Sequence, residues 1–224
     1  ILYTSTGGNS WTSVATSNGF ALRSIMFINN NTGFAVGDHG ELYKTTSGIT
    51  GWLSSSVTAT NLRSIYFYDS LKGFVCGDSG KFLMTTNCGI NWSTKTAGTE
   101  NINSISFINS STGYMTARLG SMKTTDGGNT WNNFLVGYAG QENFVKFANS
   151  VTGYVYGKYG PISRTTNGGI NWSPWCSYQL FSGNTYFDIS IVDSNTAYVC
   201  GADGWILRCY GQGQNQSATH IRGS

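Results

Sequence analysis

The sequence predicts an all-β fold that repeats one four-stranded antiparallel unit, and three observations support this prediction. Five tryptophans recur at intervals of 41, 40, 39 and 41 residues: Trp11, Trp52, Trp92, Trp131 and Trp172. A run rich in threonine and glycine precedes each of them. Short alternating segments of apolar and polar residues, bounded by Gly, Asn and Ser, fill the intervals as strands do. A period of about 40 residues with such content is typical of the blades of a β-propeller.

Three strands of each repeat, named A, B and C here, come before the tryptophan. In the first copy we expect strand A at residues 22–27, strand B at 33–37 and strand C at 42–45. Residues 38–40, Asp-His-Gly, indicate a tight turn between strands B and C. The tryptophan opens strand D, which completes a four-stranded blade. The alternative, an ordinary two-sheet sandwich, is disfavoured because five copies match.

The strand count sets the expected closure. There are five A and five B strands, but the last copy lacks a D strand, whereas a spare one stands at residues 11–15. We therefore predict a five-bladed propeller, a single domain over residues 1–210, that is closed by the N-terminal strand. Because six segments qualify as strand C, an excerpt from a propeller with six or seven blades is the alternative. Residues 211–224 are polar and aperiodic, and we predict a disordered tail or the remnant of a purification tag.

The tryptophan motifs resemble the Asp-box, whose pattern is Ser or Thr, any residue, Asp, any residue, Gly, any residue, Thr, and Trp or Phe. Residues 124–131, Thr-Thr-Asp-Gly-Gly-Asn-Thr-Trp, match this pattern throughout. In the other copies the Asp is replaced by Thr6, Ser47, Asn87 and Asn167. We predict that these motifs are structural and that all five tryptophans are mostly buried between blades.

The whole repeat, with its Gly-aromatic step, Gly-Asp-x-Gly turn, Lys-Thr-Thr and Gly-Gly-x-x-Trp, resembles that of the photosystem II stability and assembly factor family. The resemblance covers roughly residues 1–208. It implies a propeller and, as in that family, a protein partner held by an arginine patch, although no residue of that patch can be matched here. Similar repeats occur in secreted bacterial surface proteins, so a secreted, periplasmic or cell-surface location is expected.

Composition excludes several classes of function. Charged residues make up 10% of the chain and the net charge is only +3, which does not favour nucleic-acid binding. No apolar stretch approaches the ~20 residues of a membrane helix. We expect neither a cofactor nor a metal site, since no Cys-x-x-Cys pair with histidine partners occurs.

The five cysteines are expected to play two roles. Cys76 and Cys200 hold the same place in strand B of two copies, where we expect small core residues. Cys176 can form a disulfide with either Cys200 or Cys209, because all three belong to the last blade region, and the sequence leaves this choice open.

Catalysis is not expected. The three glutamates, Glu41, Glu100 and Glu142, lie at a turn and in loops, so they do not form the facing carboxylates of a glycosidase. Asp38 and Asp78 fall at equivalent turns between strands B and C, where turn chemistry explains them. No Ser-His-Asp arrangement is supported either.

A binding site is predicted where the copies differ. The loop after the fourth D strand has three aromatic residues that can anchor a peptide or stack on a sugar, or else cover the seam between blades: Trp175, Tyr178 and Phe181. The later B–C turns add Arg118, Lys158 and Tyr159, where the earlier turns have aspartates. Arg23 and Arg63, which begin equivalent A strands, extend this basic surface.

The predicted function is therefore that of a non-catalytic scaffold for a protein or peptide partner. A carbohydrate-binding, lectin-like propeller is the first alternative, but a repeat lectin should present the same side chains in every copy. A structural module of a larger surface protein is the second.

Overall fold

The computed structural model describes residues 1–14, 19–117, 120–134, 141–158, 161–176, 186–201, 204, 206–211 and 217–221. It divides into two compact units, Ile1–Asn101 and Ile102–Ser224, which are described separately below. The described residues form 22 strands and short 3₁₀ turns, and none of their helices is long and apolar enough to cross a membrane. The prediction of an all-β fold is confirmed.

The first unit contains one two-stranded and two four-stranded antiparallel sheets. The two-stranded sheet joins β1 (Leu2–Tyr3) and β2 (Thr12–Ser13). The next has the order β3 (Leu22–Phe27), β4 (Gly33–Gly37), β5 (Glu41–Thr45) and β6 (Leu53–Ser56). The third has the order β7 (Leu62–Phe67), β8 (Gly73–Gly77), β9 (Lys81–Thr85) and β10 (Ser93–Thr96). The four-stranded sheets follow the predicted order from A to D.

The second unit contains three four-stranded antiparallel sheets. The first comprises β11 (Ile102–Phe107), β12 (Gly113–Ala117), β13 (Gly120–Thr124) and β14 (Asn132–Phe134). The second comprises β15 (Gln141–Phe147), β16 (Gly153–Lys158), β17 (Ile162–Thr165) and β18 (Ser173–Cys176). The last comprises β19 (Tyr186–Ile191), β20 (Thr196–Gly201), β21 (Ile206–Tyr210) and β22 (Ser217–Ile221).

The D strand of the last sheet differs from the prediction. We expected residues 11–15 in this place, but Thr12 and Ser13 pair with Tyr3 and Leu2. The place is taken by Ser217–Ile221, so part of the predicted tail is a strand. An outermost strand needs a backbone partner on one side only, which lets a polar segment serve. The number of blades and the closure of a ring stay predictions.

Burial is concentrated in the B strands. Every residue of β4, β8 and β12 is buried. In the first unit they contribute to one apolar cluster that spans both four-stranded sheets: Phe34, Val36, Leu42, Leu62, Ile65, Phe67, Val75 and Leu83.

The B–C turn of the first copy lies close to the backbone of the segment after strand D. Gly40 has φ +72°, and a Cβ there would lie 1.7 Å from the carbonyl oxygen of Thr58, so the turn requires glycine.

Local hydrogen bonds hold the tryptophan motifs. The Thr124 hydroxyl accepts the Gly128 N–H at 3.0 Å, and Asp126 Oδ1 accepts the Thr130 N–H at 2.9 Å. The hydrogen bonds that the Asp126 carboxylate accepts, led by the one from the Thr130 hydroxyl, lower the pKa of Asp126 to about 2. In the fourth copy Asn167 Oδ1 accepts the Asn171 N–H at 3.0 Å in the same way. Asparagine therefore keeps this hydrogen bond without the charge.

Four of the five motif tryptophans are half-buried, in a repeated contact. Each packs edge-on against the phenylalanine that ends strand A of its own sheet, with ring centroids 5.8–6.1 Å apart: Trp52 on Phe27, Trp92 on Phe67, Trp131 on Phe107 and Trp172 on Phe147. Trp11 is 60% exposed, so the prediction of burial is wrong for this residue. The reason is that its two-stranded sheet has no strand A.

Candidate functional site

Every four-stranded sheet has a β-bulge at the second or third residue of strand A. In each copy the strand register shifts at one residue: Arg23, Arg63, Asn103, Asn143 and Phe187. A bulge redirects a side chain while the strand on either side of it keeps its pairing. In the five copies this position holds two arginines, two asparagines and one phenylalanine.

In the first unit the bulge residues are arginines, and each pairs with the aspartate of its own B–C turn. Arg23 Nε lies 2.5 Å from Asp38 Oδ1, and Arg63 makes the same contact with Asp78. The hydrogen bond to Asp38 raises the pKa of Arg23. The Arg23 side chain is 41% exposed, so its guanidinium can be reached from solvent. Exposed pairs of this kind stabilise a fold by only about 0–1 kcal/mol.

Asn61 connects the two B–C turns of the first unit. His39 and Ser79 lie in the left-handed region, with φ of 57° and 54°. The His39 N–H donates to Asn61 Oδ1 at 3.0 Å, and Asn61 Nδ2 donates to Asp78 Oδ2 at 3.0 Å. The Ser79 N–H donates in the same way to Asn101 Oδ1 at 2.9 Å. These bonds fix the turns and their aspartates before any ligand arrives.

We name this surface of the first unit the B–C edge: Arg23, Asp38, His39, Asn61, Arg63 and Asp78. An aromatic ring adjoins it, since Phe20 contacts the His39 ring with centroids 4.3 Å apart and is 43% exposed. The edge thus combines cations, fixed carboxylates and an apolar face. The two asparagines, Asn61 and Asn101, were not among the predicted site residues. Their signal was an Asn just before strand A in two successive copies, 22 residues after the residue at the tip of the preceding B–C turn.

Trp175 is not the exposed platform that the sequence suggested. It is 2% exposed, its Nε1 donates to the Gly211 carbonyl at 3.0 Å, and its ring lies 5.0 Å from that of Tyr154. The prediction was wrong because strand D continues to Cys176, so Trp175 is a strand residue within a core cluster and not a loop residue.

The other predicted site residues have different outcomes. Arg23 and Arg63 lie at equivalent places, as predicted. Lys158 is the last residue of β16, where its backbone pairs with Gln141. Four predicted residues lie outside the described residues: Arg118, Tyr159, Tyr178 and Phe181.

The structure shows whether Cys176 pairs with Cys200 or with Cys209, which the sequence left open. Cys176 forms a disulfide with Cys209. Cys76 is buried, as predicted for a core position. Cys200 is exposed, which contradicts that prediction. The cause is that burial alternates along β20, whereas β8 is buried throughout, so equivalent places in the two strands differ in exposure.

Acidic groups at the described positions do not form a metal-binding cluster. Asp38 and Asp78 are engaged by arginines, and Glu41 is 6% exposed. Over the described ranges, no group of three or more His, Cys, Asp or Glu side chains could hold a metal ion.

The family follows from a sequence profile. The profile of the photosynthesis system II assembly factor YCF48 matches residues 45–174, more than half of the chain. The chain belongs to the YCF48 family. The resemblance of its repeats to those of assembly factors is thereby confirmed. No individual curated protein matches the sequence.

Solved structures of similar fold include YCF48 proteins. One, bound to a D1 peptide, is 17% identical with a TM-score of 0.50, and the match covers 89% of this chain and 82% of that one. YCF48 from Cyanidioschyzon merolae is 13% identical with a TM-score of 0.56, covering 93% and 88%. A GH74 enzyme from Niastella koreensis is 18% identical with a TM-score of 0.71, covering 92% of this chain but 38% of the enzyme. At these identities the likeness concerns the fold alone.

Proposed function

We propose that the protein is a non-catalytic scaffold that binds an extended peptide segment of a protein partner at the B–C edge. The observation that supports this most is the pair of bulge arginines, each held by a turn aspartate and each partly exposed. Membership of a family in which one solved YCF48 protein carries a D1 peptide points in the same direction.

The chemistry of the edge suits a peptide. A guanidinium has five N–H donors in a planar fork, and the described bond of Arg23 to Asp38 uses only its Nε–H. The remaining donors suit peptide carbonyl or carboxylate oxygens. Asp38 and Asp78 orient the two forks, and the Asn61 bridge fixes the second aspartate, so little side-chain freedom is lost on binding. Exposed Phe20 supplies the apolar contact that a peptide side chain needs.

The variation among copies favours a single asymmetric partner over a repeated sugar. The bulge position holds Arg, Arg, Asn, Asn and Phe in the five copies, whereas a repeat lectin would keep one set of contacts. Because of this variation, carbohydrate binding is the second candidate and a role as a structural module is the third. The similarity to the GH74 enzyme does not change this order, since it covers only 38% of that enzyme.

The experiment is a peptide-binding titration by fluorescence anisotropy, with a D1 peptide and an array of unrelated peptides as probes. The double variant Arg23→Ala, Arg63→Ala is expected to weaken binding at least about 10-fold, since a hydrogen bond to a charged group is worth ~1.5–3 kcal/mol. Arg208→Ala is the matched control, because Arg208 is an exposed strand arginine outside the edge. Raising the salt concentration should weaken binding in the wild type more than in the double variant.

Two results would contradict this proposal. One is unchanged peptide affinity in the double variant. The other is a protein that binds no peptide but gives a strong signal on a glycan array, which would favour the lectin.

We also propose that the protein works in an oxidising compartment, such as the periplasm or the cell surface. The Cys176–Cys209 disulfide supports this location, because such bonds are rare in the reducing cytosol. Mass spectrometry of thiol-alkylated protein from its native cells should find this pair oxidised. A fully reduced pair would contradict the proposed location.

A further inference from the structure

The two-stranded sheet at the start of the chain has the structure of strands C and D of a blade. The Thr4 hydroxyl accepts the Gly8 N–H at 2.9 Å, and Thr6 Oγ1 accepts the Ser10 N–H at 2.9 Å. These are the bonds that Thr124 and Asp126 make in the third copy. The strand register also agrees, since Tyr3 pairs with Thr12 as Lys123 pairs with Asn132. β1 is therefore a C strand and β2 a D strand.

This sheet lacks the inner half that every other sheet has. In each four-stranded sheet, strand C is paired with strand B, which is paired with strand A. Among the described residues β1 pairs with β2 alone, and every described A–B pair is already joined to its own C strand. None of the described A–B pairs is therefore available to the inner edge of β1.

Side-chain exposure shows what the missing half would cover. Leu2 is 63% exposed, whereas the residues at the same place in three of the complete sheets are almost fully buried: Tyr43 at 3%, Leu83 at 1% and Leu207 at 1%. Trp11 is 60% exposed, although its four counterparts pack on the phenylalanine that ends strand A. Both side chains are apolar, and an A–B strand pair added to β1 would cover both of them.

We propose that the β1–β2 sheet is the acceptor half of a blade and is completed by an A–B strand pair of this same repeat, joined directly to Ile1 by a short turn. The unpaired N–H and C=O groups of β1 would bond the incoming B strand, as in β-strand addition. The phenylalanine at the end of the incoming A strand would meet Trp11. A direct link is favoured over a separate peptide because strand B reaches strand C through a turn of only three residues in copies one and two, Asp38–Gly40 and Asp78–Gly80.

The experiment adds such a pair to the full chain. Residues 61–81, which comprise strands A and B of the second copy with their turn, are fused before Ile1 in the register of Thr85 with Thr4. A fusion with the same residues in scrambled order is the control. Hydrogen exchange by mass spectrometry is expected to slow at least about 10-fold over residues 1–4 in the ordered fusion only. Acrylamide quenching of Trp11, taken as the difference from a Trp11→Phe variant, should fall to the level of Trp52.

Leu2→Asp separates docking from general stability. In the chain without a fusion, this substitution should shift the Tm by no more than about 2 °C, because the side chain is exposed. In the ordered fusion it should abolish the slowed exchange. A synthetic peptide of residues 61–81, added in trans, provides a measurement that does not depend on folding of the fusion, and it too should slow exchange over residues 1–4.

Equal exchange over residues 1–4 in the ordered and scrambled fusions would overturn the proposal. So would slowed exchange that persists with Leu2→Asp, since the added strands would then pack elsewhere. Because the readout concerns residues 1–4 and Trp11, its failure leaves peptide binding at the B–C edge untouched.

Discussion

Replacing Trp172 with alanine should destabilise the protein strongly, whereas the same change at Trp11 should have almost no effect. Both residues close the same motif and stand immediately before a D strand. Trp172 contacts the rings of Phe147, Tyr114 and Phe134 at centroid distances of 5.8–6.1 Å, so it packs on its own sheet and on the preceding one. Trp11 is 60% exposed.

The magnitude follows from the area that the indole buries. A half-buried tryptophan removes about 150 Å² from water, which at about 25 cal/mol per Å² gives about 4 kcal/mol. Part of Trp172 stays accessible, so we expect a loss of about 3–4 kcal/mol in the free energy of unfolding. For a chain of this length that lowers the Tm by about 6–16 °C. Trp11→Ala should cost less than about 0.5 kcal/mol.

Urea titrations followed by far-ultraviolet circular dichroism measure both variants against the wild type. A lower midpoint with an unchanged slope indicates lost stability and not a changed denatured state. If the free energies of unfolding of Trp172→Ala and Trp11→Ala differ by less than about 1 kcal/mol, which is near the uncertainty of the extrapolation to water, Trp172 is not a packing residue and the repeated aromatic contact does not stabilise the fold.

Two further predictions concern the disulfide and the motif aspartate. The double variant Cys176→Ser, Cys209→Ser should lose about 4 kcal/mol of stability, by the loop-entropy relation for a separation of 33 residues. The control variant Cys200→Ser changes an exposed thiol and should melt within about 2 °C of wild type. Equal melting temperatures of the two variants would show that the disulfide does not restrain the unfolded chain. The pKa of Asp126 is lowered in the folded state to about 2, so its ionisation favours folding above the unfolded pKa of ~3.9 and this contribution is lost as pH falls through about 2. Asp126→Asn should therefore have a lower Tm than wild type at pH 7 and the same Tm near pH 2, and a constant difference across this range would exclude the charge as the cause.

Much of the fold could be predicted because the repeat specifies it locally. Alternating apolar residues, the Gly-aromatic step and the motif turns fix strands A to D within each copy, and they agree with the sheets from Leu22 to Cys176. The D strand of the last sheet was missed because it lacks this pattern. Ser217–Ile221 contains a histidine among small polar residues, and its pairing depends on a backbone edge that the sequence does not reveal.

The candidate site was predicted less well, for a geometric reason. Arg23 and Arg63 were identified from their equivalent places in the repeat. Their pairing with the turn aspartates could not be predicted, because it depends on β-bulges that the residue types in strand A do not indicate. Trp175 was misplaced because we assigned it to a loop, while strand D continues to Cys176 with a register shift at Trp175, and Cys176 is bonded to Cys209. Whether an aromatic residue faces the core or solvent in a strand changes with a shift of one position.

The bulge in the A strand of each four-stranded sheet differs from the paired strand positions in how freely its residue can change. A substitution at a paired strand position must satisfy a cross-strand neighbour and a buried face, so it is constrained by its whole sheet. A bulge residue stands where the strand register shifts, and the five copies tolerate a cation, an amide and an exposed aromatic ring there without a change in strand order. Duplication of such a unit multiplies positions that can diverge one at a time. A single substitution at such a position changes the residue type that one copy places at its bulge, while the strand order of the sheet is the same in every copy.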